Sequence, residues 1–225
     1  MKHFAIILTL VLLWGIFPST YIHAQGHARG AFLESPDYVI PSLNTNTKKD
    51  LIDIYEAAQK EGKAPQSVTN LFGGSSVVTS LSDTAIAIQL DDATSVQIKL
   101  LPMINNSFLI CMVSTSLVTP KQSVVRFFGQ DWKDIDGTGL FSLPPTEAFL
   151  VSPDDIHQTR VKTLLAERGV LTHEVICDPH NPEIRVRLTI FDDSVAQVSF
   201  AELSKLFKED GITMRWDGAK FVPVK

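Results

Sequence analysis

Residues 84–101 read TAIAIQLDDATSVQIKLL. Ile86, Ile88 and Leu90 recur at every second position, Asp91-Asp92-Ala93 supplies a turn, and Val96, Ile98 and Leu100 then alternate with Ser95, Gln97 and Lys99. A period of two sends successive side chains to opposite faces, so this stretch predicts an antiparallel hairpin with one face in a core and one in water. The period continues on both sides, in VVTSLS (77–82), SFLICMVST (107–115) and SVVRFF (123–128). The connections are too short for crossover helices, so the strands form a meander.

Upstream the period changes to 3.6. In NTKKDLIDIYEAAQKEG (46–62), Leu51, Ile54, Tyr55 and Ala58 make one apolar stripe, Glu56 and Lys60 pair on the wet side, and Gly62 stops the helix. Thr47 is the predicted cap, with Asp50 favouring the first turn. PDYVIPSLN (36–44) predicts a short helical turn, and Gln25–Ser35 reads as a polar, flexible lead-in.

Downstream, Leu143-Pro144-Pro145 leads into TEAFL, and Ser152-Pro153-Asp154-Asp155 predicts a helix running to about Arg168 and ending at Gly169. VLTHEVIC (170–177) and EIRVRLTIF (183–191) read as strands. In VSFAEL (198–203), Ser199 and Glu202 form a capping box with Val198 and Leu203 at the staple positions, opening a helix that Gly211 ends. ITMRW and AKFVPV then make a hairpin about Asp217-Gly218. The result is an α+β fold in which helices cover one face of antiparallel sheets. It divides into two consecutive units of a helix pair plus about four strands, 36–142 and 143–225, which stand apart or merge into one compact domain.

Met1-Lys2-His3 followed by the apolar run Phe4–Phe17 has the layout of a secretory signal peptide, with cleavage expected after Ala24. The run is shorter than the roughly 20 apolar residues of a membrane span, and the mature chain has no transmembrane segment. The formal net charge is −5, and cleavage removes Lys2 alone among charged side chains. With no Lys/Arg-rich block to meet phosphates, nucleic acid is not an expected partner. Cys111 and Cys177 are the two cysteines of the chain. In an oxidising compartment a disulfide between them could persist; the other reading is two buried thiols that pack as small apolar groups.

The loop RFFGQDWKDIDGTG (126–139) offers Asp134, Asp136 and Thr138 at calcium-loop spacing, yet the closing position falls on Pro145, so a solvated turn fits better. His173, Cys177 and His180 have superficial zinc spacing that a strand would pull apart. The pairs Asp91-Asp92 and Asp192-Asp193 sit at strand-end turns, and Gly73-Gly74-Ser75-Ser76 lacks the pattern of a nucleophile elbow. No cofactor and no catalytic residue is indicated. The expectation is a noncatalytic binding or structural module that meets a protein or glycan through a polar strand face. Ser95, Gln97 and Lys99, or Arg185, Arg187 and Thr189, would supply that face; Trp132 fits better as a packing anchor beneath the 126–139 loop than as a ligand platform, and it or Phe127 would be an aromatic contact only where exposed. The alternative is an envelope hydrolase assembled from dispersed acids and His157, His173 or His180.

Read together, PDYVIPSLNTNTKKDLIDIYEA, VVTSLSDTAIAIQLDDATSVQIKLLP, ICMVSTSL, VVRFFGQDW and the closing MRWDGAKFVPV resemble a secreted Bacteroidales family of unknown function, the DUF 3256 type. The resemblance spans most of Pro36–Val224 and implies a bacterial, secreted or periplasmic protein; it brings no activity, cofactor or catalytic residue. The helix-pair plus four-strand plan is also similar to the β-lactamase-inhibitor-protein type of fold, by analogy alone.

Overall fold

The computed structural model describes residues 27–152, 171–190 and 205–224, together with Asp154 and Thr159. The predicted signal peptide, most of the predicted helix after Pro153 including His157, and the predicted capping box at Ser199 and Glu202 lie outside the described residues.

Seven strands form one antiparallel meander in strict sequence order: β1 (Val68–Thr69), β2 (Ser75–Leu81), β3 (Ala85–Gln89), β4 (Thr94–Pro102), β5 (Phe108–Ser116), β6 (Gln122–Phe128) and β7 (Asp134–Ile135). Their register puts Ile86, Ile98 and Met112 in one cross-strand row, on the face that the period of two marked as apolar. Helices α1 (Ala28–Glu34) and α2 (Thr45–Glu61) cover that face. Phe32, Leu43, Leu51 and Ile52 pack there against Val78, Ile88, Val96, Leu100 and Ile110.

Two local expectations change. The segment read as a flexible lead-in is helix α1, because Ala28, Ala31 and Phe32 fall on one side and are buried. The cap of α2 is Asn44, whose side chain accepts from the Thr47 amide, and Thr47 is buried inside the helix. Gly62 ends α2 in the left-handed region, where a residue lacking Cβ is favoured.

A second antiparallel sheet has the order β11-β10-β9-β8, built from β8 (Leu171–Cys177), β9 (Glu183–Ile190), β10 (Ile212–Trp216) and β11 (Phe221–Pro223). It packs on the face of the first sheet opposite the helices. Leu101, Leu109, Cys111, Val113 and Phe127 of the first sheet share a core with Val175, Cys177, Ile184, Val186, Met214 and Trp216 of the second. Among the described residues the molecule is thus α+β in three layers: helices, seven strands, four strands. The helix expected to run to Gly211 does not reach it, since Phe207 makes an isolated β-bridge to Leu150 and residues 208–211 are non-helical.

Candidate functional site

β4 is where the sequence reading and the tertiary structure part. Gln97 and Lys99 were placed in water, yet Lys99 is 1% exposed and both lie under the second sheet. β8 is an edge strand, and an edge leaves alternate backbone groups without partners. Side chains of the first sheet supply them. Val175 N donates to Ser123 Oγ at 2.9 Å, and Val175 O accepts from Gln97 Nε2 at 3.2 Å. Cys177 N donates to Gln97 Oε1 at 2.8 Å, and Asp178 O accepts from Lys99 Nζ at 2.9 Å. The Pro179 carbonyl accepts from the hydroxyls of Ser82 and Thr84. The alternating polar residues of β4 therefore form a seam that satisfies the edge of another sheet.

At the centre of the seam stands Lys99, directly across from Cys111 in the β4–β5 register. Its ammonium donates to Thr84 Oγ1 at 2.9 Å as well as to Asp178 O. Burial lowers the Lys99 pKa against the opposing pull of Cys177, Asp178 and Cys111. Burial likewise pushes the Cys111 thiol well up, and raises Cys177 from 9.0 to about 12 despite the nearby Lys99 charge. Both thiols are free and buried. A thiol whose folded value is raised stays neutral in the fold. The stability it contributes is full below pH 9.0 and is lost as pH rises towards about 12. In reductant, the stability difference between wild type and Cys177→Ala, measured by urea unfolding, should shrink across that window. Relief of the Lys99 burial cost at alkaline pH has the opposite sign in each protein, and because Cys177→Ala loses the pull of Cys177 on Lys99 it favours the variant and adds to the shrinkage. A difference that stays flat with pH would remove burial as the cause.

The stretch 126–139 resolves into packing. Trp132, expected as a packing anchor beneath the loop and as a contact only where exposed, is buried, tilted at 5.1 Å from Phe128, and its Nε1 donates to Ala31 O at 3.2 Å. It holds helix α1 to the loop, from a backbone with φ of 61°. Phe127 is likewise buried, in the core between the sheets. Neither ring is presented to a partner, because each lies on a face that another layer covers. The three residues at calcium-loop spacing are exposed: both oxygens of Asp134 accept from Arg126, and Asp136 accepts the Thr138 amide at 2.9 Å. Arg185 is exposed and Arg187 half-buried on the outer face of the second sheet. His173 faces inward against Phe149, where burial lowers its pKa, while His180 lies in an exposed turn. Among the described residues no three His, Cys, Asp or Glu side chains gather where they could hold a metal ion.

A feature the sequence reading missed is the β1–β2 turn. Asn70 is buried, and its amide donates to Ser76 Oγ at 3.0 Å and Leu90 O at 2.8 Å. Its carbonyl oxygen accepts from the amides of Phe72 at 2.9 Å and Gly74 at 3.0 Å. Leu71 N donates to Ser42 O at 2.9 Å, tying the turn to the link before α2. A Cβ on Gly74 would sit 2.9 Å from the Asn70 amide nitrogen and 3.0 Å from Asp91 Cβ, so the turn closes tightly over its neighbour. This scaffold holds Leu71 and Phe72 outward, 56% and 75% exposed. The signal was present in NLFGG (70–74): turns favour small and polar residues, and here two large apolar ones occupy the tip.

Fold and surface together define a sheet-dominated α+β module with a polar inter-sheet seam and a preorganised apolar tip. The chain belongs to the family described as "Protein of unknown function (DUF3256)", whose model matches residues 20–221. Among solved structures it is similar to a domain of an uncharacterized protein from Porphyromonas gingivalis W83. That match has a TM-score of 0.68 at 19% identity and covers 88% of this chain and 98% of that one. At such identity the likeness concerns the fold. No curated protein matches this chain in sequence.

Proposed function

We propose that this chain is an exported bacterial envelope protein, periplasmic or secreted after removal of residues 1–24. In this reading it serves as a noncatalytic binding module that docks a protein partner on the Leu71–Phe72 tip. One observation carries the reading: a buried asparagine uses four hydrogen bonds to fix a tip whose two large apolar side chains face water. A rigid aromatic anchor loses little conformational entropy on binding, which is what a binding hot spot needs. Neighbouring hairpin ends extend the surface. Leu90 lies over Asn70 and leads to Asp91-Asp92, and Leu117 N donates to Ala93 O beside the exposed Val118. Among the described residues no helix is long and apolar enough to cross a membrane.

The test is recovery from a Bacteroidales envelope extract with immobilised wild type and with Phe72→Ser. The exposed site predicts an unchanged melting temperature for Phe72→Ser and at least a tenfold loss of one recovered protein. A loss of 2 kcal/mol or more, typical of a hot spot, corresponds to about thirtyfold, so a tenfold loss is the lower bound of the expectation. Identical recovered sets, or recovery of glycan alone, would overturn the assignment of this tip to a protein partner.

A further inference from the structure

Cys111 lies on β5, on the face that meets the second sheet, and is the cross-strand partner of Lys99. Cys177 ends β8, with its amide on Gln97 and the next carbonyl, that of Asp178, on Lys99 Nζ. Gln97 and Lys99 share a face of β4 and so bracket Cys177 from below, with Cys111 beside them. Both cysteines belong to the same core cluster. Two sheets packed face to face usually stand about 10 Å apart, too far for most disulfides. Here β8 approaches through its edge, and its Cα atoms come within 8 Å of β4, β5 and β6. The edge-on approach places both cysteines in one core at the seam, on strands β5 and β8 that lie side by side.

We infer that Cys111 and Cys177 are a modification site: the pair closes into an inter-sheet disulfide when the chain folds in the presence of a disulfide donor. The reaction is thiol–disulfide exchange. One cysteine thiolate attacks the donor disulfide, forms a mixed disulfide and expels one donor thiolate. The second cysteine thiolate then attacks the cysteine sulfur of that mixed bond and expels the other donor thiolate. Two protons and two electrons leave the protein thiols, and the donor ends as two thiols. Both sulfurs are sealed once the sheets dock, so exchange happens before docking is complete, and a chain folded in reductant keeps its thiols. Burial raises both thiols in the finished fold, which keeps a reduced, docked pair inert. The bond ties the four-stranded sheet to the seven-stranded one across the chain between β5 and β8.

The experiment refolds the denatured, reduced full chain in a mixture of reduced and oxidised glutathione, or in reductant alone. Free thiols are then counted with a maleimide after renewed denaturation. With glutathione disulfide the count should fall from two to none, the two cysteines of the chain. The intact mass should drop by two hydrogens, and a proteolytic peptide pair should link Cys111 to Cys177. The melting temperature should rise on the order of 10 °C for a loop of this length in a domain of this size. Adding glutathione disulfide to the chain already folded in reductant should leave two free thiols in the count made after denaturation. Two free thiols after oxidative refolding, stable glutathione adducts on the cysteines, or disulfides between chains alone would each overturn the inference. The chemistry is tested in a redox buffer, so its failure is distinct from failure of the export and binding proposal.

Discussion

Replacing Trp132 with alanine should cost about 3–5 kcal/mol of folding stability, the range for truncating a large buried aromatic side chain. The ring packs against Phe128, and its Nε1 satisfies the Ala31 carbonyl of helix α1. Truncation opens a cavity beneath the 126–139 loop and leaves that carbonyl without its donor. Trp132→Phe separates the two effects. It keeps most of the packing and loses the hydrogen bond, so a cost of about 1–2 kcal/mol is expected. Urea unfolding gives the totals. Amide exchange locates them, since protection across Ala28–Glu34 should fall first in Trp132→Ala. If protection in α1 is unchanged while global stability drops, the ring supports the sheet without anchoring the helix.

Gln97→Leu is the second large effect, and its value lies in what each interpretation of β4 demands. Were Gln97 on a solvated strand face, the substitution would change stability by less than about 0.5 kcal/mol. In the seam it strips partners from Val175 O and Cys177 N. Each buried backbone group left unpaired costs about 1–3 kcal/mol, so a total of about 2–5 kcal/mol is expected. Leucine of similar size limits the cavity term, and exchange at the Cys177 amide should accelerate more than exchange elsewhere in the second sheet. Ser95→Ala, two residues away on the same face and in neither bond, is the internal control and should be near neutral. Equal, small effects at both positions would mean that the edge of β8 is satisfied by water.

The seam also accounts for how a small four-stranded sheet stays attached. Its apolar face contributes Val175, Ile184, Val186 and Met214 to the shared core, and its exposed edge is closed by Gln97, Lys99, Ser123, Ser82 and Thr84. Covering an edge strand with side-chain donors and acceptors removes a template for unwanted strand pairing. A fully buried ammonium is the costly part of this arrangement. Lys99 carries it with two hydrogen bonds and a lowered pKa. A second buried lysine, Lys48, does the same between α2 and the link after α1, donating to Ser35 O at 2.6 Å and pairing with Asp37 at 3.4 Å.

The sequence alone determined the helix of residues 45–61 with its stop at Gly62, every strand of five residues or more among the described residues, the hairpin about Asp217-Gly218, and the α+β class. Each follows from backbone preference and hydrophobic period, forces that act within a few residues of their origin. The cap differs: Thr47 is the expected residue, and Asn44, three residues earlier and a stronger cap former, takes that place. Only the tertiary structure decided that Gln25–Ser35 contains a packed helix, that Phe127 points inward, and that the polar residues of β4 bind another sheet. The physical reason is common to all three. A glutamine or lysine at an alternate strand position satisfies its hydrogen bonds equally well with water or with the unpaired backbone of a strand some 80 residues away. No local pattern distinguishes the two, and the choice is made when the sheets meet.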